Sequence, residues 1–166
     1  MRRYIQRHQA PVCMPCWLKA GVGAGAAFVV AWLLGDLSGA SMIVAPMGAS
    51  AVLIFGVPES PLSQPAHVVG GHVLAGVIAL LADQFLPAGP LTLAATIGFV
   101  IMGLGIVRLT HPPAGATALV ILLTHPSWWF LLTPVLSGAV TLVIVGVLIH
   151  MLPPRVAYPM HVQETA

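Results

Sequence analysis

Thr110-His111-Pro112-Pro113-Ala114-Gly115-Ala116-Thr117-Ala118 separates two apolar runs in the second half of the chain. Both prolines lack a backbone donor, and each pushes the residue before it out of the helical region, so a helix arriving from Leu91 must end near Leu109. Proline is well tolerated in the first turn of a helix, so a new helix starts at the Pro112-Pro113 pair. It has only the dozen residues 113–124 to use. At 1.5 Å per residue that is about 18 Å, too little for a hydrocarbon core of roughly 30 Å. Either this helix re-enters the membrane, or the irregular stretch 110–113 lies inside the membrane and completes the crossing.

The same pattern occurs earlier. Pro46-Met47-Gly48-Ala49-Ser50-Ala51 matches Pro113-Ala114-Gly115-Ala116-Thr117-Ala118 at four of six positions, with Ser50 against Thr117. An ungapped shift of 67 residues also sets Val68 on Val135 and Gly71 on Gly138. Six apolar segments can be marked, at 19–35, 41–56, 66–82, 91–107, 113–124 and 129–152, and the shift overlays the first three on the last three. This predicts an all-α membrane fold of two repeats, 19–85 and 86–152, each of three transmembrane segments with the second short and broken. An odd number of crossings per repeat makes the repeats inverted.

Composition sets the solvent. Of 166 residues, 58% are hydrophobic and 6% charged. A soluble domain carries about 25% charged residues, so this chain cannot cover a water-facing surface and belongs in lipid. A net charge of +2 without a basic stripe excludes nucleic acid as a partner. With six crossings and a cytoplasmic basic N-terminus, Arg2, Arg3, Arg7, Lys19, Arg108 and Arg155 all fall inside, and Asp36 and Asp83 outside. Residues 1–18 and 153–166 are then cytoplasmic tails of a multi-pass protein of the plasma membrane. Trp17, Trp32, Trp128 and Trp129 stand at segment ends as interface anchors. A signal peptide at 20–34 is disfavoured because the leader is long and the run has a counterpart later in the chain. Cys13 and Cys16 form a lone C-x-x-C, weak as a metal or redox motif, and are expected to be reduced thiols.

No nucleophile, metal-ligand or phosphate-loop signature occurs, so no enzyme, no cofactor and no metal site are expected. The acids Asp36, Glu59 and Asp83 sit at segment ends, which leaves no buried carboxylate for a proton pump. What remains is the pair of short-helix starts, whose free N–H groups favour an anion. Around them stand Gly48, Ala49, Ser50, Gly115, Ala116 and Thr117, with His111 before the prolines, Arg108 one turn earlier, and His72 inside the third segment. Each has an ordinary structural alternative: glycines that only permit bending and close packing, histidines that only bond a carbonyl or a neighbouring helix. His67, His125 and His150 lie near segment ends and are expected at the interface.

The run His111-Pro112-Pro113-Ala114-Gly115-Ala116-Thr117-Ala118-Leu119 resembles the signature of the HPP family of integral membrane proteins. Gly48-Ala49-Ser50-Ala51-Val52-Leu53, Pro58-Glu59-Ser60-Pro61-Leu62, Gln64-Pro65 and Gly70-Gly71-His72 are similar to that family in the same order, over roughly 19–152. The resemblance implies a transport role, since plastid and cyanobacterial members are associated with nitrite. The family is described as having four transmembrane helices, against the six crossings above. Where it commonly has Arg-Asn after Gln-Pro, Ala66-His67 stand here, which removes a cation from that entrance. The expectation is a transporter or channel subunit for a small anion, nitrite first, working as a homo-oligomer in the lipid bilayer. The alternatives are a channel for a small neutral solute and a non-transporting subunit packed against a partner.

Overall fold

The computed structural model describes residues 13–160, and every regular element in them is helical. Arg2, Arg3 and Arg7, on which the orientation rests, and the tail 161–166 lie outside the described residues. Helix α1 is Met14–Ser38, longer than expected at both ends. Pro15 opens it, and Gly39, in the left-handed region at φ 66°, closes it. Cys13 and Cys16 lie on its first turn with Cα atoms 5.2 Å apart, and they are joined by a disulfide rather than reduced. A helical turn brings a C-x-x-C pair within disulfide reach, which is what lets the two sulfurs join here.

Helix α2 is Pro46–Ala51 and continues to Gly56 through wider i→i+5 turns. The second segment is thus helical only from Pro46 onward. A 3-10 turn at Pro61–Ser63 leads into α3, Pro65–Phe85. Helices α4, Pro90–Ile106, and α5, Pro112–Thr124, meet at the irregular stretch set by the two prolines. The last segment is interrupted. A wide turn, Leu131–Leu136, contains Thr133 in extended conformation (φ −140°, ψ 122°) before Pro134, and α6 then runs Ser137–His150. Pro134 supplies no donor and pushes Thr133 out of the helical region, so the break falls there.

Three helical stretches, Met14–Ser38, Pro65–Phe85 and Leu131–His150, are long and apolar enough to cross a membrane. Pro46–Gly56, Pro90–Ile106 and Pro112–Thr124 are shorter. Their outer surfaces are apolar: Val22, Val29, Trp32 and Leu33 on α1, and Leu91, Phe99, Ile101 and Ile106 on α4, are all exposed. Such a continuous apolar exterior is suited to lipid.

The helices pack as two half-bundles. One joins α1, α2 and α6 around Ala27, Met47, Ala51, Ile54, Ala139 and Leu142. The other joins α3, α4 and α5 around Ala75, Ala79, Val100, Ala114, Ala118 and Ile121. The shift of 67 carries Met47, Ala51 and Ile54 onto Ala114, Ala118 and Ile121, and Ala75 onto Leu142. The halves meet along a seam where α2 faces α5 and α3 faces α6. Within each half-bundle one glycine makes the packing close. A Cβ on Gly138 would stand 2.4 Å from the Met42 carbonyl oxygen, and one on Gly71 would stand 2.8 Å from the His111 Cβ and 3.1 Å from the Leu109 carbonyl oxygen. The pairs Gly71–Leu109 and Gly138–Met42 exchange under the same shift.

Candidate functional site

Four polar side chains meet in the seam, all fully buried: Ser50 of α2, His72 of α3, and His111 and Thr117 at and within the start of α5. Ser50 Oγ lies 2.8 Å from His72 Nε2 and 2.8 Å from His111 Nε2. His72 Nδ1 lies 2.7 Å from Thr117 Oγ1, and His111 Nδ1 lies 2.8 Å from the Leu62 carbonyl oxygen. The imidazoles meet edge to face with centroids 4.9 Å apart. One imidazole thus joins the two hydroxyls that the shift of 67 residues sets against each other.

With both rings neutral, these bonds have one consistent order. The Leu62 carbonyl only accepts, so His111 carries its proton on Nδ1 and accepts at Nε2. Ser50 therefore donates to His111, and it accepts from His72 Nε2–H. His72 Nδ1 is left as acceptor for the Thr117 hydroxyl. The result is a polarised line from Thr117 through His72, Ser50 and His111 to Leu62. The Pro46 carbonyl, 3.3 Å from Ser50 Oγ, is a second acceptor for that hydroxyl.

Local sequence explains the placement. Pro46 and Pro112-Pro113 start the short helices, which puts Ser50 and Thr117 in the second turn of each, facing the seam. Gly71 lets α3 approach the Leu109–His111 backbone closely enough for His72 to reach both hydroxyls. Of the residues expected at the site, the structure brings Ser50, His72, His111 and Thr117 together. Gly48 and Ala49 are exposed, Gly115 and Ala116 are half-buried, and a Cβ on Gly48 or Gly115 would meet nothing within 4 Å. Each glycine precedes its hydroxyl residue by two positions, about 200° around the helix, so it faces away from the cluster. Arg108 is exposed with φ 58°, beyond the end of α4. The sequence reading missed the Leu62 carbonyl, because a main-chain acceptor has no side-chain signature.

The other histidines divide. His67 is partly exposed, and its Nδ1 donates to the Thr110 carbonyl at 3.0 Å. His125 pairs with Asp83 at 2.5 Å. His150, expected at the interface, is instead buried: Nε2–H donates to the Ile54 carbonyl at 2.8 Å and its ring lies 5.3 Å from that of Tyr158. The reason is that residues 151–160 fold back over the end of α6. Lys19 Nζ holds the Leu152 carbonyl at 3.3 Å and also the Pro154 carbonyl, and Tyr158 is buried beside Gly146.

An all-helical bundle with a lipid-suited exterior and a buried polar line defines an integral membrane protein. The model of the HPP transmembrane region matches residues 8–159, and the chain belongs to that family. Two Dictyostelium discoideum proteins named as transmembrane proteins are similar to it. One is 30% identical over 125 residues, covering 70% of this chain and 40% of that protein. The other is 31% identical over 128 residues, covering 72% and 45%. The chain therefore spans less than half the length of these relatives. No solved structure matches it.

Proposed function

We propose that this chain carries a small monovalent anion across the membrane, with nitrite the leading candidate, through the seam where Ser50 and Thr117 face each other across His72. The observation that carries this reading is the fully buried, continuous hydroxyl–imidazole line inside the membrane bundle. Polar groups inside a membrane protein are costly and mark pathways. Among the described residues the buried polar side chains are serine, threonine and histidine, with no carboxylate, which favours an anion over a cation. Nitrite itself comes from the family resemblance.

The same reading treats 19–85 and 86–152 as inverted repeats that exchange their third helices. The exchange of Gly71–Leu109 with Gly138–Met42 supports this. Both termini in the cytoplasm, a place in the plasma membrane and assembly as a homo-oligomer belong to the proposal.

The test is uptake into proteoliposomes of the purified chain, measured against protein-free vesicles. Nitrite should enter several-fold faster with protein, and formate should compete while urea should not. Equal entry with and without protein would overturn the reading. Competition by urea alone would point to a neutral-solute channel.

A further inference from the structure

Resting on that anion reading, we propose that Thr117, His72, Ser50 and His111 form a proton relay whose exit is stopped by the Leu62 carbonyl, and that Tyr158 latches the stopper.

The order of donors is already set for one direction. A proton reaching Thr117 Oγ1 releases the hydroxyl's own proton to His72 Nδ1. His72 gives its Nε2 proton to Ser50 Oγ, and Ser50 gives its proton to His111 Nε2. His111 then loses the proton on Nδ1. Every O–H or N–H bond broken is replaced on the same group, so one proton has crossed and each ring is left in its other tautomer. Each ring regains its first tautomer by giving one proton to water and taking another from water at its other nitrogen, with no net change.

The last transfer is blocked as the structure stands. His111 Nδ1–H points at the Leu62 amide carbonyl, which accepts a hydrogen bond but is too weak a base to take the proton. A water molecule or a substrate oxygen has to replace it. Leu62 sits in the 3-10 turn Pro61–Ser63, between the relay and the strap 151–160. Inward, its carbonyl holds His111. Outward, the Tyr158 hydroxyl donates to the adjacent Ser63 carbonyl at 3.0 Å, and Met160 N–H donates to Gln64 Oε1 at 2.8 Å. Burial pushes the Tyr158 phenol above its usual value, so it stays a donor throughout the physiological range. Movement of the strap frees the turn, and movement of the turn uncovers His111. His67, whose Nδ1 holds the neighbouring Thr110 carbonyl, is a partly exposed imidazole on this side.

The test uses the full chain in proteoliposomes with an entrapped pH dye, a potassium–valinomycin clamp and an inward nitrite gradient. Nitrite is assayed in parallel, and protein-free vesicles are subtracted. Protein-dependent nitrite entry should acidify the lumen. Ser50→Ala removes the hydroxyl that passes the proton from His72 to His111 and should abolish that acidification. Tyr158→Phe should raise the proton leak several-fold without nitrite, and adding Ser50→Ala to it should abolish the leak. If Ser50→Ala fails to assemble, Thr117→Val interrupts the same line at its start. Nitrite entry without protons, unchanged by either substitution, would overturn the relay and leave the anion reading standing. A Tyr158→Phe leak that needs Ser50, in vesicles that take up no nitrite, would support the relay and sink the anion reading. No leak in Tyr158→Phe together with full acidification in Ser50→Ala would overturn the relay.

Discussion

Gly138→Ala is expected to destabilise the detergent-solubilised protein by about 3 kcal/mol, at the upper end for overpacking. The added methyl group would stand 2.4 Å from the Met42 carbonyl oxygen, and this is backbone, which cannot swing aside. Helix α6 must draw away from the stretch that leads into α2, or the chain around Met42 must move. Gly71→Ala faces the equivalent obstruction, with the His111 Cβ at 2.8 Å, and should also displace His111 from Ser50. Gly115→Ala is the control. Its Cβ meets open space, and alanine within a helix is favoured over glycine by about 0.5–1 kcal/mol. Unfolding followed by helical circular dichroism ranks the variants. Gly138→Ala as stable as Gly115→Ala would mean that α6 is not packed on the Met42 backbone as described.

Ser50→Ala is expected to cost about 2–4 kcal/mol, because it strands two buried groups at once, and each is worth roughly 1–3 kcal/mol. His72 Nε2–H loses its acceptor and His111 Nε2 its donor. Thr117→Val preserves shape and strands only His72 Nδ1, so it should cost less, about 1 kcal/mol, in line with the modest hydrogen-bond energies measured inside membrane proteins. Ser50→Thr keeps the hydroxyl and should restore most of the loss if the added methyl group is accommodated. The same unfolding series checks the order. Thr117→Val costing more than Ser50→Ala would remove Ser50 from the centre of the line.

Much of this architecture is legible in the sequence because proline acts locally. Pro46, Pro65, Pro90 and the Pro112-Pro113 pair each open a helix where a missing N–H costs nothing. The shared Pro-x-Gly-Ala-Ser/Thr-Ala likewise pointed to Ser50 and Thr117 as a pair. Helical phase is legible too: two residues of separation set Gly48 and Gly115 on the far side from the hydroxyls. The Leu62 carbonyl and the Tyr158 latch depend on contacts between segments that lie 49 and 95 residues apart. No local pattern encodes such contacts. The burial of His150 was hidden for the same reason, since the residues that cover it come after the last helix.

The central claim is that the buried residues form one polarised line, and the tautomers of its two imidazoles report that directly. Nitrogen-15 solid-state NMR of the histidine-labelled protein in lipid, assigned with His72→Gln and His111→Gln, reads which ring nitrogen carries the proton. The expected result is opposite tautomers, with His72 protonated on Nε2 and His111 on Nδ1. The same tautomer on both rings, or a doubly protonated ring at neutral pH, would contradict the line and with it the relay.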